Sequence, residues 1–570
     1  MNYQDAPWLS SYGDRKFNLQ YPNNSISDRV LETAEECADL TALSYMGRSI
    51  SYKTLKQKIL QTAKAFLSLG VKEGDKVTVC MPNVPQAVYS LYALNYIGAI
   101  ASMIHPLSAE GEIVFYLNTA KSRFCLTLDM FEHKFANVLD KTSVEKLIVG
   151  GVDDELAPFK KLVYSAFIKK KEHKAVKTGG KNLRWQDFIK AGKEVNLAPA
   201  HKNANDPAVI LFSGGTTGVT KGIVLSNLNF NALAYQTAEM ANYPVRASKM
   251  LAAMPVFHGF GLGVCIHTMM VAGGVSILVP QFNVKSYAEL IKTNNPNFIA
   301  GVPTLFEALT RNPYLDGVDL SCLKGVFSGG DSLSIELKKK FDKFLKDHNC
   351  SVRVREGYGT TECVTASCLT PVNKEKEGSI GIPYPDTYYM ICKPGTNEPA
   401  PFGEDGEICL RGPSVMQGYL DMPEETAQTL RVHEDGYTWL HTGDLGFMDE
   451  EGFIYFKQRI KRMIITSGYN VYPSQLENII DGHEYVEMSC VIGVKDDYKM
   501  QKVKAFVVLK AGVEESEEVK NSIMEYCRKN IAKYALPYEI EVRKELPKTL
   551  VGKVAYTVLE KEEEQKQANK

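Results

Sequence analysis

The chain has 570 residues, 44% of them hydrophobic and 23% charged, with a formal net charge of -1. That length exceeds what one hydrophobic core serves, so several packed units are expected, and the balanced charge argues against nucleic acid or another polyanion as a partner. Twelve cysteines without a CxxC pair point to free thiols in a reducing cytoplasm, and residues 1–16 carry no apolar secretion core.

In chain order, SYKTLKQKILQTAKAFLSLG (51–70) has helical spacing and KVTVCMPN (76–83) reads as a strand. The most apolar run, 88–104, is shorter than the ~20 residues that span a bilayer and contains Asn95 and Gly98. It predicts a buried helix, a glycine turn and a strand. KLIVGG (146–151), AVILF (208–212) and NFIAGVPT (297–304) continue the strands, and SIELKKKFDKFLKDH (334–348) is a further helix. Such alternation predicts parallel sheets covered by helices. Segment 159–181 carries eight lysines with Phe159, Val163 and Phe167 at helical spacing. It is either a solvated insertion or a basic amphipathic helix that touches a membrane surface.

After about residue 380, short strands between Gly and Pro (GEICLRGP, GYTWLHTGDLG, EGFIYFKQR) suggest a small β-rich unit. From about 463, VYPSQLENIIDGH and VKNSIMEYCRKNIAKY as helices, with SCVIGV and KAFVVLK as strands, predict a separate α+β domain. The expected fold class is α/β: an N-terminal domain over 1–458, a hinge at 459–462 and a C-terminal domain over 463–570.

The chemistry begins at LFSGGTTGVTKGIVLS (211–226), with four glycines, three threonines and one lysine. Glycines let backbone amides approach phosphate, Ser213, Thr216 and Thr217 add hydroxyl donors, and Lys221 adds charge. A nucleoside-triphosphatase loop would read GxxxxGK followed by Ser or Thr and open onto a helix. Here Lys221 precedes Gly222 and a strand follows, so that reading fails.

SGGTTGVTKG resembles the phosphate loop of the adenylate-forming superfamily: acyl-CoA synthetases, peptide-synthetase adenylation domains and beetle luciferases. SGGDSL (328–333), REGYGTTE (355–362), TGDLG (442–446), RIKRMIITSGYNVYPSQLE (459–477) and LPKTLVGKV (546–554) follow in the family's order. The resemblance covers the chain from about residue 40.

It implies ATP, Mg2+ and coenzyme A as cosubstrates and cofactor. Ser213, Gly214, Gly215, Thr216, Thr217, Gly218 and Lys221 would hold the leaving pyrophosphate. Gly329, Gly330, Asp331 and the block Glu356, Gly357, Tyr358, Gly359, Thr360 would frame adenine, with Tyr358 stacking on it. Thr361 would bind phosphate, and Glu362, with Thr217, would hold magnesium. Asp444 is acceptor-only and suits a two-oxygen grip on ribose hydroxyls beside Arg459; without the motif it would read as a turn residue. Lys553 would place its charge at the forming acyl–phosphate bond, where charge grows in the transition state.

The second half-reaction needs a thiol to attack the same carbonyl. The resemblance implies that the mobile C-terminal domain swings about Lys461, withdraws Lys553 and brings in Ser467, Gly468 and Tyr469. Gln458 and Arg462 depart from the usual hinge residues, so the ion pairs holding each orientation are expected to differ.

MPVFHGFGLGVCIHTMMVAGG (254–274) offers Phe257, Phe260, Leu262, Val264 and Ile266 to a chain pocket; the resemblance implies that His258 orients the carboxylate and that Val302, Pro303 and Thr304 form another wall. The absence of charge in these segments favours an apolar acyl chain. The chain looks most like bacterial medium- and long-chain fatty acyl-CoA ligases, whereas GEICLRGP is also similar to coumarate-CoA ligases. An aromatic acid, transfer to a carrier protein in place of CoA, and a degenerate nucleotide or acyl sensor are the rival readings.

Overall fold

The computed structural model describes residues 6–157, 160–161, 180–200, 202–213, 220–466, 469–496, 499–549 and 553–568, with only the backbone at Lys461, Tyr469, Asn470 and Ala568. Gly214, Gly215, Thr216, Thr217, Gly218, Ser467, Gly468 and most of 159–181 lie outside the described residues. Among the described residues no helix is long and apolar enough to cross a membrane.

Two large sheets form the bulk of the molecule. One has eight strands, with Pro207–Phe212, Ile100–Met103, Lys76–Cys80, Phe124–Leu128, Lys146–Gly150 and Asn182–Arg184 as its parallel run. The other has nine, with Thr41–Tyr45, Val275–Leu278, Lys249–Ala252, Phe298–Gly301, Gly325–Ser328 and Val354–Tyr358 parallel. Parallel strands need crossovers, which amphipathic helices such as Ile335–Asp347 supply, and the amphipathic helix Tyr52–Ser68 leads from one large sheet to the other. That helix buries Leu55, Ile59, Ala63 and Phe66, a spacing of three and four, and Ser51 caps it by accepting from the Thr54 amide.

The apolar run 88–104 forms the expected elements. Pro85–Tyr96 is a helix buried on every side, Gly98 turns with φ 79°, and Ile100–Met103 is a central strand. Just before it, the Asn83 amide donates to the Ala252 and Met254 carbonyls and accepts from the Val256 amide, tying the two sheets together.

Beyond residue 385 the pairing becomes antiparallel, except that Glu539–Arg543 runs parallel to Met500–Leu509. Tyr388–Cys392, Gly406–Arg411, Thr438–Met448, Leu430–Val432 and Ile454–Arg459 form a five-stranded sheet. Another five-stranded sheet, built on the long hairpin Val486–Asp496 and Met500–Leu509, carries helices Pro473–Asp481 and Glu517–Asn530 over its own apolar core. All twelve cysteines are free, and eleven of them are buried, as small apolar fillers.

Candidate active site

The parallel strands of the nine-stranded sheet position the site. Gly329 and Gly330 follow the C-terminal end of Gly325–Ser328, and the neighbouring strand Val354–Tyr358 runs out into Gly359, Thr360 and Thr361. Loops at the carboxyl edge of such a sheet form a crevice. The crevice opens into a cavity of about 940 Å³, mouth included, whose near end is lined by Gly329, Gly330, Tyr358, Thr361, Arg459 and Lys553.

Its far end has a different chemistry. Phe298 and Met250 lie opposite each other near the starts of their strands, away from that edge. Three residues of strand separate Phe298 from Gly301, about 10 Å along the sheet. Val245, Ala241, Phe327 and Leu369 complete the apolar wall. Arg355, buried behind it, donates to the Met240 carbonyl at 2.8 Å and to the Thr370 carbonyl at 2.7 Å, pinning the last turn of helix Asn227–Ala241 to the strand.

At the near end, Asp444 and Arg459 face each other across strands Thr438–Met448 and Ile454–Arg459. The Tyr358 hydroxyl donates to Asp444 Oδ2 at 2.6 Å, and Arg459 Nε lies 2.9 Å from Oδ1 as an ion pair off the line of its N–H bond. Burial raises the Asp444 carboxyl above its usual range, opposed by Arg459 and by the Tyr358 hydrogen bond. Lys553 enters from the C-terminal part, its Cε 3.7 Å from where a Cβ on Gly330 would stand. Burial lowers its ammonium despite the facing Asp331 charge. A desolvated cation of this kind interacts strongly with an arriving anion.

His258 borders the same cavity. Its Nδ1 accepts from the Phe260 amide at 3.2 Å, so the neutral ring carries its proton on Nε2. Burial and the nearby Lys553 charge push it down to about 3, so it stays neutral. Glu362 accepts from the Tyr419 hydroxyl at 2.9 Å, and the Lys221 ammonium sits 4.4 Å from the centroid of that ring. One tyrosine thus couples the described end of the glycine loop to the candidate magnesium ligand.

The AMP-binding enzyme model matches residues 30–420, and the AMP-binding enzyme C-terminal domain model matches 475–553. The chain belongs to the AMP-binding enzymes. A long-chain-fatty-acid–CoA ligase of Bacillus subtilis (strain 168) is 36% identical over 564 residues, covering 98% of both chains. One from Salmonella typhimurium is 31% identical over 555 residues, 96% of each chain. The anthranilate CoA ligase AuaEII in complex with anthranoyl-AMP superposes with a TM-score of 0.82, 23% identity and 100% of each chain covered, a likeness of fold.

As an AMP-binding enzyme, the chain brings Gly329, Gly330, Gly357, Tyr358, Gly359, Thr360, Thr361, Arg459, Lys553, His258 and Phe260 to one cavity. Asp444 joins them through Tyr358, whereas Asp331 and Glu356 flank the cavity without standing among its described wall residues. Of the expected chain-pocket residues, Phe260 and Val264 line the wall, but Leu262 and Ile266 are buried elsewhere in the core. The segment is a π-helix over Phe260–His267, so residues four apart share a face. Val302, Pro303 and Thr304 begin helix Pro303–Thr310 and are not among the described wall residues; Val302 instead packs near Gly330. Sequence reasoning missed Ala241, Val245, Met250, Phe298, Phe327 and Leu369. They are ordinary core residues in any local pattern, and only the packing of separate strands and helices makes them a wall.

Proposed function

We propose that this AMP-binding enzyme activates a fatty carboxylic acid with ATP and passes the acyl group to CoA. The observation that carries the reading is the continuity of one cavity from the Tyr358, Gly330 and Lys553 end to the apolar Met250, Phe298 and Leu369 end. A carboxylate at the mouth with its chain along the sheet satisfies both chemistries.

In the first step a carboxylate oxygen attacks the α-phosphorus, the bond to the bridging oxygen of pyrophosphate breaks, and acyl-AMP forms. Lys553 stabilises the charge that accumulates between the two anions. Tyr358 packs against adenine, Asp444 and Arg459 hold the ribose, and Thr361 contacts phosphate. Lys221, with the glycine loop, steadies the departing pyrophosphate. Glu362 is an oxygen donor suited to magnesium, which when bound would neutralise phosphate charge. His258, neutral and donating from Nε2, orients the carboxylate. In the second step the C-terminal part turns about 459–462, Lys553 leaves, and the thiol of CoA attacks the carbonyl, expelling AMP.

Incubation with ATP, CoA and a panel of acids tests the proposal. AMP and pyrophosphate are expected in step with a fatty acyl-CoA; release of ADP, or faster turnover of an aromatic acid, overturns it. Lys553→Ala is expected to lose adenylate formation by about a hundredfold or more yet to convert supplied acyl-AMP and CoA to thioester. Loss of both halves overturns the two-orientation reading.

A further inference from the structure

Behind Asp444 lies a buried polar chain that the proposed reaction does not use directly. Glu407, His441 and His433 are 6%, 5% and 7% exposed. Glu407 Oε1 accepts the Gly443 amide at 2.9 Å, and Oε2 lies 2.8 Å from His441 Nδ1. His441 Nε2 lies 2.9 Å from His433 Nε2. An ionised carboxylate only accepts, so His441 donates from Nδ1 and accepts at Nε2, and His433 must donate from Nε2. Its ring is held in place by stacking on Trp439, centroids 5.5 Å apart at 25°. The hydrogen bonds thus share one direction, from His433 through His441 to Glu407, where the Gly443 amide also converges.

The stretch that receives this support is a bulge within strand Thr438–Met448 and is unusual in its backbone. Gly443 has φ 70°, a conformation that costs other residues energy, and its amide is the group Glu407 holds. On either side, the Thr442 hydroxyl donates to the Ile408 carbonyl at 2.6 Å and accepts from the Asp444 amide at 3.1 Å. Asp444 is the next residue along. Burial would raise the Glu407 carboxyl, but the His441 hydrogen bond, with that of the Gly443 amide, holds it below its usual range. Ligand atoms of Glu407, Cys409 and His441 lie within 4.8 Å of one another, a spacing a metal ion could bridge. The carboxylate oxygens and His441 nitrogens are already engaged within the chain, which accounts for the cluster without an ion.

We infer that Glu407, His441 and His433 are positioning residues that fix the Gly443–Asp444 bulge for recognition of the ribose hydroxyls of ATP. The inference rests on Asp444 holding the ribose, as proposed above. The test compares ATP with 2′,3′-dideoxy-ATP, which lacks both hydroxyls, in pyrophosphate release at saturating acid. The native enzyme is expected to prefer ATP by at least about a hundredfold in kcat/KM. Glu407→Gln, which reverses the donor direction at His441, should shrink that preference by about tenfold, through KM for ATP, with dideoxy-ATP turnover within about twofold of native. His433→Phe keeps the stacking and loses only the donor, and should shrink it less. This second variant decides the matter where Glu407→Gln fails to fold. An equal fall with both nucleotides marks a merely structural role and overturns the inference, as does an unchanged preference in both variants. A native enzyme indifferent to the hydroxyls overturns the ribose role of Asp444 itself.

Discussion

Two histidines nine residues apart in one apolar segment have opposite surroundings. His258 borders the cavity, whereas His267 is fully buried, with Nδ1 3.1 Å from the Tyr92 hydroxyl and Nε2 3.1 Å from Asn231 Oδ1. Asn231 Oδ1 can only accept, so His267 is neutral with its proton on Nε2. Burial, helped by the Arg29 charge, pushes it down to about 3. An unfolded His takes up a proton near 6.5, so between those limits the unfolded chain binds more protons and stability falls as pH falls. From pH 6.5 to pH 5 the cost is about 2 kcal/mol. Urea midpoints over pH 5–7 should therefore slope less steeply for His267→Gln than for the native chain, and equal slopes would refute the assignment. At this scale motif residues such as Tyr358, Asp444 and Lys553 were legible because a fixed string surrounds each. His258 was singled out by the same kind of match, whereas the hydrogen bonds of His267 to Tyr92 and Asn231 join distant residues that no string records.

The π-helix Phe260–His267 shows what an element adds. Its widened turn is marked by Thr268, whose amide and hydroxyl both reach the Gly263 carbonyl five residues back. Three glycines make the packing possible. A Cβ on Gly259 would collide with the Val364 carbonyl, and one on Gly261 with the Met254 and Pro255 carbonyls. At Gly263 the nearest atoms belong to the Leu233 and Val364 side chains. Backbone cannot give way as a side chain can. Gly261→Ala is thus expected to cost about 3 kcal/mol in urea unfolding and to narrow the acyl range, against about 1 kcal/mol for Gly263→Ala; equal costs would show that the segment adjusts as a whole. Apolar character alone suggested Phe257, Phe260, Leu262, Val264 and Ile266 for the pocket. The observed helix sets Phe260 and Val264 on the cavity side and Leu262 and Ile266 away from it, because side-chain direction follows the turn and not the residue type.

Across the whole molecule, the position of Lys553 depends on how the C-terminal sheet sits against the rest. Glu487, 9% exposed at its side chain, pairs with Arg311 and lies 3.5 Å from Lys340, both on helical segments of the larger part. The Ser474 hydroxyl donates to the Lys457 carbonyl across the same junction, while Arg462 pairs with Glu477 on its own side. The expected departure of the hinge ion pairs thus takes a definite form, since Arg462 finds its carboxylate fifteen residues downstream. Removing Glu487 should weaken this orientation by about 1 kcal/mol, since its partners are half-exposed. Glu487→Gln is then expected to slow ATP–pyrophosphate exchange severalfold while thioester formation from supplied acyl-AMP is unchanged or faster; equal slowing of both would exclude an orientation effect. The linear chain already determined the α/β class, the order of the motifs at 211–226, 355–362 and 442–446 and the lysine at residue 553, because each rests on local periodicity or on a contiguous string. Packing alone decided the wall of Met250, Phe298 and Leu369, the Tyr419 link between Lys221 and Glu362, and the Glu407–His441–His433 chain behind Asp444. Those contacts join residues far apart in sequence, and no local pattern records which strands become neighbours or which of their faces meet.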